Sequence, residues 1–547
     1  MVIYKSQCDP IPIPNLDLYT FLFQDSPFNT QRDRNLPFVI DGKTGKTLSF
    51  NQIFDLSGRI ASGWNNTVGL NKGDVVAVFA PNQYDHCVLY YSLLAAKCTI
   101  SPGNPDYTED EFQHQISTSG AKALVTIPAL LPVLERVCAK NNIPKERIFV
   151  FGDSSSGYKS FYDLGINQPH VGHPIHGLNG KDDLAFICFS SGTTGLPKGV
   201  MLTHHNFIAQ MIQVTSFDQN ANIASDVILG FLPFYHIFGI TSLIFGAFYR
   251  ANPIVILQKW NIEQFCQLVE KYKVTNVNIV PPIAVQLAKS PVLSKYDLTS
   301  LRILGCGAAP LGKEHVEAVQ ARIPAAIKQG YGSSETCAGC VYQRVGVSPA
   351  GSIGYLTANT ELMLVDENGN ELGDDQEGEV LLRGPVIMKG YLNNPEANAK
   401  TFTADGWMRT GDVGKFDTKT GEFYIVDRIK ELVKYKGFQV APAELEALLI
   451  KHNDVADSCV VGVYEAAQAT ELPRAYIVLQ PHAKPSPAKA KELMEYVASN
   501  VTQYKRLRGG VRFVDAIPKS PSGKILRREV KKWVKEEQEQ EGARAKL

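Results

Sequence analysis

The sequence predicts an α/β fold, followed by a β-rich segment and a C-terminal region of mixed helices and strands. Three observations carry this prediction. From about residue 48 to residue 280, apolar runs of strand length alternate with helical patterns, as in layered α/β structures with largely parallel sheets. Between about residues 357 and 426, short strands and tight turns indicate a small β-rich subdomain. From Asp427 onward, helical and strand patterns are mixed up to the end of the chain.

Short uncharged runs mark the strands of the α/β part. Residues 75–80, 123–127 and 184–189 predict buried strands, and residues 92–96 predict a helix between the first two. The uncharged run 227–249 has a membrane span as its alternative. Pro233, His236 and three glycines interrupt it, which favours a buried strand, a loop and a core helix, so no membrane span is predicted. A last, heavily charged helix is expected over residues 524–540.

Composition is that of an ordinary globular protein of more than one domain. The 547 residues are 44% hydrophobic and 20% charged, and 55 basic side chains balance 55 acidic ones. No net positive field favours nucleic acid, so no nucleic-acid partner is expected. Ten scattered cysteines indicate reduced thiols, and the single Cys337–Cys340 pair lacks the second pair of a zinc site.

The two ends of the chain carry different targeting signals. The first residues lack the apolar core of a secretory signal. The chain ends in Ala545-Lys546-Leu547, a conservative variant of the Ser-Lys-Leu peroxisomal address, after a polar tail. We therefore expect the peroxisomal import receptor as a partner and a peroxisomal location, with the cytoplasm as the alternative.

The segment from Ser190 to Val200 has the composition of a polyphosphate-binding loop. It holds three glycines, four hydroxyl side chains and Lys198 directly after a predicted strand. Glycines let backbone N–H groups approach phosphate oxygens, hydroxyls donate hydrogen bonds, and the ammonium offsets charge. The P-loop pattern is excluded, because Pro197 stands where its second glycine is required and Gly199 follows the lysine.

Six further segments carry residue types typical of a nucleotide site. Each has an ordinary structural explanation by itself: His236 suits a core position, Glu335 a helix cap, and Lys524 an exposed surface. Their order along the chain is what makes them informative. The segments are 234–239, 307–310, 329–336, 410–412, 427–437 and 518–524.

Together these segments resemble the adenylate-forming superfamily of acyl-CoA synthetases, peptide-synthetase adenylation domains and firefly luciferase. Residues 190–200, 435–446 and 518–527 resemble the 4-coumarate–CoA ligase-like branch almost letter for letter, and the resemblance extends from about Leu48 to Arg528. It implies a large N-terminal domain, 1–427, made of two layered α/β subdomains and a small β-barrel-like subdomain. A hinge at 428–434 and a smaller, mobile α+β domain at 435–547 are implied to follow.

The resemblance also implies the reaction and the residues that serve it. Such enzymes join a carboxylic acid to ATP as an acyl-adenylate, release pyrophosphate, and pass the acyl group to coenzyme A. Lys524 is implied to bridge carboxylate and phosphate, His236 to position the carboxylate, and Glu335 to bind Mg²⁺. The implied ATP-binding residues are Ser190, Ser191, Gly192, Thr193, Thr194, Gly195, Lys198, Ala309, Gln329, Gly330, Tyr331, Ser334, Asp412, Arg428 and Lys524.

For the second half-reaction the resemblance implies that the C-terminal domain rotates about Lys430. Rotation would present Lys434 as a catalytic residue, with Lys436 and Gly437 contacting coenzyme A. Lys259 matches a further coenzyme A position, and basic side chains suit the phosphates of that substrate.

Substrate choice is where the sequence departs from the coumarate ligases. The acyl pocket is implied to include Tyr235, Phe238, Ser242, Gly305, Ala338 and Gly339. Gly305 replaces a lysine and Ala338-Gly339 replaces a Pro-Val pair, so a roomier pocket is expected, for an aryl, cinnamic-type or medium- to long-chain fatty acid. Luciferase-like oxidation, acyl loading onto a carrier protein, and a non-enzymatic acyl-adenylate sensor are the alternatives.

Overall fold

The structure is a computed structural model of the chain. It describes residues 2–190, 197–218, 223–309, 311–436, 438–465, 468, 470–520 and 523–544, with the backbone alone from 540 onward.

Strands are numbered here along the chain. They are β1 Tyr4–Lys5, β2 Pro37–Asp41, β3 Thr47–Ser49, β4 Val75–Phe79, β5 Thr99–Gly103, β6 Ala123–Thr126, β7 Ile148–Val150, β8 Lys159–Ser160, β9 Leu184–Ser190, β10 Lys198–Thr203, β11 Ile228–Gly230, β12 Ile254–Ile256, β13 Asn276–Ile279, β14 Ile303–Cys306, β15 Ala326–Ser333, β16 Ala338–Tyr342, β17 Tyr355–Leu356, β18 Glu361–Val365, β19 Gly378–Arg383, β20 Gly390–Tyr391, β21 Met408–Asp417, β22 Glu422–Arg428, β23 Val433–Tyr435, β24 Phe438–Val440, β25 Val455–Glu465, β26 Thr470–Leu479 and β27 Gly510–Phe513.

Helices follow the same numbering. They are α1 Leu18–Phe23, α2 Phe50–Asn66, α3 His86–Ala95, α4 Glu109–Ser119, α5 Leu131–Lys140, α6 His204–Phe217, α7 Ile237–Gly239, α8 Ala247–Tyr249, α9 Ile262–Tyr272, α10 Pro281–Lys289, α11 Lys313–Gln320, α12 Pro395–Thr401, α13 Pro442–Ile450, α14 Pro487–Asn500 and α15 Arg527–Arg544. A π-helical stretch, Ile240–Gly246, joins α7 to α8.

Two large sheets form the α/β part of the chain. One has the strand order β20-β10-β9-β5-β4-β6-β7-β8, and the other β17-β16-β15-β14-β13-β11-β12-β2-β3. The strands at the centre of each sheet run parallel, as the alternation of strands and helices predicts. Their carboxyl ends lead into the glycine-rich and hydroxyl-rich segments that the sequence singles out.

One hydrophobic core joins both sheets. Helices α3 and α6 and the π-helical stretch lie between them, and aromatic rings from different elements meet there. The ring of Phe186 on β9 lies 5.5 Å from Tyr90, 4.9 Å from Phe207 and 5.7 Å from Phe245, measured between centroids. Burial of such large side chains is a leading source of stability, so the two sheets are held as one unit.

The β-rich subdomain expected after residue 357 is a five-stranded sheet in the order β1-β18-β19-β21-β22. In its antiparallel pair β21–β22, Asp412 stands opposite Arg428. Strand β22 ends at Arg428, where the predicted hinge begins, and β23 starts within the hinge at Val433.

The C-terminal region packs both faces of the three-stranded sheet β25-β26-β27. Leu445 of α13 and Leu493 of α14 belong to the apolar cluster on one face, and Val530 of α15 belongs to the cluster on the other. The β23–β24 hairpin is joined to β26, where the backbone N–H of Lys434 donates to Glu471 at 2.8 Å and that of Lys436 to Thr470 at 2.7 Å.

A buried ion-pair cluster ties this region to the end of the N-terminal part. The Arg527 guanidinium lies 2.9 Å from a carboxylate oxygen of Glu431 and 2.5 Å from one of Glu446. The side chains of all three are about one-tenth exposed, between 10% and 12%. Nearer the surface, Lys451 pairs with Glu314 at 2.7 Å across the same junction.

The structure confirms the predicted order of elements and corrects the start of the last helix. Residues 227–249 form β11, a loop and the helical run from α7 to α8, as expected. The last helix begins at Arg527 rather than at Lys524, because Lys519 and Ile525 form an antiparallel bridge and the N–H of Leu526 donates to the Pro518 carbonyl at 2.8 Å. Among the described residues, none of the helices combines the length and apolar character needed to cross a bilayer.

Candidate active site

A cavity of about 380 Å³ lies at the carboxyl ends of the strands of both sheets. It has the size of a small-molecule site, and polar groups converge on it from separate elements. Thirteen residues predicted for the site line it: Ser190, Tyr235, His236, Phe238, Ser242, Gly305, Gly330, Ser334, Glu335, Ala338, Gly339, Arg428 and Lys524.

Lys524 enters this cavity from the C-terminal region on a tight turn. The N–H of Gly523 donates to the Ser520 carbonyl at 2.8 Å, and the N–H of Lys524 donates to the Ser520 hydroxyl at 3.1 Å. Gly523 has φ of +78°, and a Cβ there would lie 3.0 Å from the Pro282 ring. A glycine is therefore needed both for the backbone conformation and for close contact with α10.

The surroundings of Lys524 lower the pKa of its ammonium to about 8. Desolvation in the cavity is the largest cause, and repulsion by Arg428 adds to it, while Glu431, Asp412 and Glu335 act in the opposite direction. The side chain is set deep within the protein but remains in contact with the cavity. A cation held at such a cost is stabilised when an anion enters.

Asp412, Arg428 and Tyr331 form one polar group beside Lys524. A guanidinium N–H of Arg428 lies 3.0 Å from a carboxylate oxygen of Asp412, and the Tyr331 hydroxyl donates to the other oxygen at 2.7 Å. Burial raises the pKa of Asp412, and the charge of Arg428 opposes that rise. Asp412 is 5% exposed, so its position is fixed by these partners.

Glu335 joins the phosphate-loop strands to the cavity. Its Oε1 accepts from the Ser190 hydroxyl at 3.1 Å and from the Tyr391 hydroxyl at 2.9 Å. The Lys198 ammonium lies 4.7 Å from the centroid of the Tyr391 ring. Ser190 and Lys198 are paired across β9 and β10, so both ends of the loop are anchored beside Glu335.

Tyr391 is a site residue that sequence reasoning missed. It belongs to the two-residue strand β20, which pairs with the edge of β10. No local motif marks it, because its place follows from a strand pairing between segments almost 200 residues apart.

His236 is held as a neutral imidazole at the apolar side of the cavity. Burial lowers its pKa to about 4, and the charge of Lys524 contributes. Its Nδ1 accepts from the backbone N–H of Phe238 at 3.3 Å, so the ring proton is on Nε2. The imidazole can therefore donate one hydrogen bond to a substrate oxygen.

The remaining predicted ATP residues lie outside the cavity lining or outside the described residues. Asp412 and Tyr331 lie behind Arg428, and Lys198 beside Tyr391. Gln329 is buried, and its amide binds the N–H of Leu311 at 2.8 Å, so its side chain has a structural partner. Ala309 is half-buried and follows the lining residue Ala308. Ser191, Gly192, Thr193, Thr194 and Gly195 lie outside the described residues.

The residues predicted for coenzyme A and the hinge are not brought to the cavity in this arrangement. Lys259, Lys430, Lys434 and Lys436 are exposed, and none of them lines it. Gly437 lies outside the described residues, as do Ala545, Lys546 and Leu547.

The acyl pocket differs from expectation in one respect. The space next to Gly339 is not empty, since a Cβ there would overlap the Tyr342 hydroxyl. A Cβ on Gly305 would lie 2.5 Å from Oδ1 of Asn278. The expectation that these glycines widen the pocket is therefore wrong, because they accommodate the polar side chains of Tyr342 and Asn278.

Comparison with known proteins agrees with this site. Residues 28–392 match the AMP-binding enzyme family, and residues 444–524 match the AMP-binding enzyme C-terminal domain. The chain is 38% identical to 4-coumarate–CoA ligase 5 of Oryza sativa subsp. japonica over 541 residues, and 38% identical to 4-coumarate–CoA ligase of Pinus taeda over 542. In both cases 97% of each chain is covered.

Solved structures give the same result for the fold. ATP-bound MatB from Rhodopseudomonas palustris superposes with a TM-score of 0.84 at 26% identity, covering 94% of this chain and 98% of that one. The anthranilate CoA ligase AuaEII in complex with anthranoyl-AMP has a TM-score of 0.85 at 23% identity, covering 96% and 98%. On the sequence match over most of its length, the chain belongs to the AMP-binding enzyme family.

Proposed function

We propose that the protein is an ATP-dependent acid–thiol ligase. It activates a carboxylic acid as an acyl-adenylate with release of pyrophosphate, and then transfers the acyl group to coenzyme A. The observation that carries this proposal is the meeting of Lys524, Glu335, Arg428 and His236 in one cavity that extends into apolar surroundings. Relatives named 4-coumarate–CoA ligase, at 37–38% identity over most of the chain, support it.

In the first half-reaction the two reactants are both anions, so their approach must be made favourable. Lys524 supplies a positive charge that can contact substrate carboxylate and α-phosphate at once, and Arg428 adds a second. The Nε2 proton of His236 can orient the attacking carboxylate by donating to it. Asp412, fixed by Arg428 and Tyr331, offers an acceptor for ribose hydroxyls. The carboxylate oxygen then forms the new bond to phosphorus as pyrophosphate leaves.

We further propose that Glu335 holds Mg²⁺ with the ATP phosphates. Glu335 lines the cavity, and a carboxylate with oxygen ligands nearby suits this cation. Of its two oxygens, Oε1 is engaged with Ser190 and Tyr391, while the described residues place no hydrogen bond on Oε2. Bound Mg²⁺ supplies charge that offsets the repulsion between phosphates and carboxylate.

For thioester formation we propose the rotation of the C-terminal domain about Lys430. The exposed positions of Lys434 and Lys436 are compatible with their reaching the cavity only after such a movement. The Lys451–Glu314 ion pair, with side chains 44% and 49% exposed, would break at small cost. An aryl, cinnamic-type or extended apolar acid is the proposed substrate, supported by Tyr235 and Phe238 along the cavity wall.

Replacement of Lys524 should separate the two half-reactions. Lys524→Ala removes the charge that joins carboxylate and phosphate, so we expect pyrophosphate release to fall about 10²- to 10³-fold in kcat/KM. Thioester formation from supplied acyl-AMP should stay within a few-fold of the unchanged protein. Lys519→Ala, on the same turn but paired with Asp457, is the matched control. Equal loss of both steps in Lys524→Ala would contradict the role.

The rate of adenylation should depend on the protonation of Lys524. Its pKa is lowered from 10.5 to about 8, so the charged form predominates below pH 8 and is lost above it. We expect kcat/KM for ATP to fall about tenfold per pH unit on the alkaline side. His236, with a pKa of about 4, should add no inflection near neutrality. In Lys524→Arg the alkaline fall should disappear; its persistence would assign it to another group.

Glu335→Gln should raise the requirement for Mg²⁺. Loss of the anionic ligand is expected to increase the Mg²⁺ concentration for half-maximal pyrophosphate release by about tenfold. Tyr391→Phe, which keeps the carboxylate and removes only its hydrogen-bond donor, is the control and should shift this concentration little. An unchanged Mg²⁺ titration in Glu335→Gln would refute the assignment of the ligand.

We propose a peroxisomal location from the Ala545-Lys546-Leu547 tripeptide alone. A fluorescent protein fused ahead of the chain should collect in peroxisomes and become diffuse when these three residues are removed. Diffuse fluorescence of the full chain would refute this location.

A further inference from the structure

The far end of the cavity is charged, although the pocket was expected to be apolar. Arg250, at the end of α8, lines it together with Lys328 of β15 and Tyr342 of β16. The three lie close together, because the charge of Arg250 contributes to lowering the pKa of Lys328, and the Lys328 ammonium lies 5.7 Å from the centroid of the Tyr342 ring. This group is called the remote cation cluster below.

The remote cation cluster lies apart from the reacting end. The charges that shift the pKa of Lys524 come from Arg428, Glu431, Asp412 and Glu335. Those that shift the pKa of Arg250 come from Asp226, Tyr342 and Tyr249, with no member in common. An acid with its carboxylate at Lys524 would therefore extend its other end toward Arg250.

Charge at this end is only partly balanced by the protein. Lys328 pairs with Asp218 at 3.3 Å, and Arg302 with Asp226 at 2.9 Å. Arg250 has no carboxylate within 4 Å among the residues that the structure describes, and its Nε donates instead to the neutral amide of Asn252 at 3.2 Å. Desolvation lowers its pKa to about 10, so the guanidinium is still charged at neutral pH. A buried cation without a counter-charge is costly, and an anionic ligand would relieve that cost.

The backbone makes room for this guanidinium. A Cβ on Gly246, in the π-helical stretch, would lie 3.3 Å from Nη1 of Arg250. Tyr342 adds a neutral donor: its hydroxyl accepts from the Gln210 amide at 3.1 Å, and the hydrogen bonds of the described residues include no acceptor for its own proton. A donor-rich end of this kind is complementary to a carboxylate, which only accepts.

From this geometry, and on the basis of the ligase function proposed above, we infer that the preferred acid carries a second carboxylate at the end remote from the one that is activated. Arg250 is the residue that binds it, with Tyr342 as a further donor. Arg250 touches no reacting atom, so it acts on substrate selection rather than on the chemical step.

The test uses the full-length protein and acids that differ only at the remote end. Saturated α,ω-dicarboxylic acids of increasing length are compared with their monomethyl esters, and para-carboxycinnamic acid with its para-carboxamide. Acyl-CoA is measured by mass, and rates of the aliphatic diacids are corrected for their two equivalent carboxylates. At the best chain length, we expect kcat/KM for the diacid to exceed that for its neutral partner by about 10- to 100-fold, mainly through KM.

Arg250→Met should remove this preference while the neutral acids are converted at rates within a few-fold of the unchanged protein. Arg250→Lys, which keeps the charge, should retain part of it. Arg344→Met is the matched control, since Arg344 stacks on Phe217 nearby without lining the cavity, and the preference should survive in it. Thermal melting of each variant checks that it folds.

Two outcomes would overturn the inference. One is a preference for neutral acids in the unchanged protein. The other is an equal loss of both acid classes in a folded Arg250→Met variant. If no acid of either class yields pyrophosphate or acyl-CoA, the proposed ligase function itself fails, and that result is distinguishable from both.

Discussion

The position of Lys524 depends on the ion-pair cluster of Arg527, Glu431 and Glu446. Arg527 is three residues beyond the lysine, at the first position of the last helix, and Glu431 follows directly after the hinge residue Lys430. Because the three side chains are nearly buried, removing the guanidinium would leave two carboxylates without a partner in a region of low polarity. The cluster therefore holds the turn that carries Lys524 at a defined distance from the hinge. A single buried interaction thus joins the fold of the C-terminal region to the chemistry of the cavity.

The site accepts unfavourable electrostatics in its resting form. Lys524 and Arg428 repel each other, and the pKa of Lys524 falls to about 8 as a result of burial and this repulsion. Asp412 is shielded from water and relies on Arg428 for its charge. Each of these groups gains a counter-charge or a donor when a polyphosphate and an acid are bound. Prearranged charges of this kind favour the reacting state without reorganisation during the reaction.

The sequence predicted the layered fold, the order of the motifs and the family, because these depend on local patterns and on resemblance. Lys524, Glu335 and Asp412 could be named in advance for the same reason. Tyr391, Tyr342 and Arg250 could not, since each reaches the cavity through contacts between distant segments that no local pattern records. The glycines at 305 and 339 show a related limit: sequence reveals that a side chain is missing, while only the fold shows what fills the space. The start of the last helix was misplaced because a bridge between Lys519 and Ile525 competes with helix formation there.

The π-helical stretch Ile240–Gly246 gives this pocket an unusual route of change. A π turn holds one more residue than an α turn, so the helical residues after it are rotated relative to those before it. Deletion of one residue within the stretch would restore an α-helix and turn the following residues by about 100° around its axis. Arg250 would then leave the cavity wall and a different side chain would take its place. In this family member, loss or gain of a single codon, rather than a substitution, is a short path between ligases that accept charged and uncharged acids.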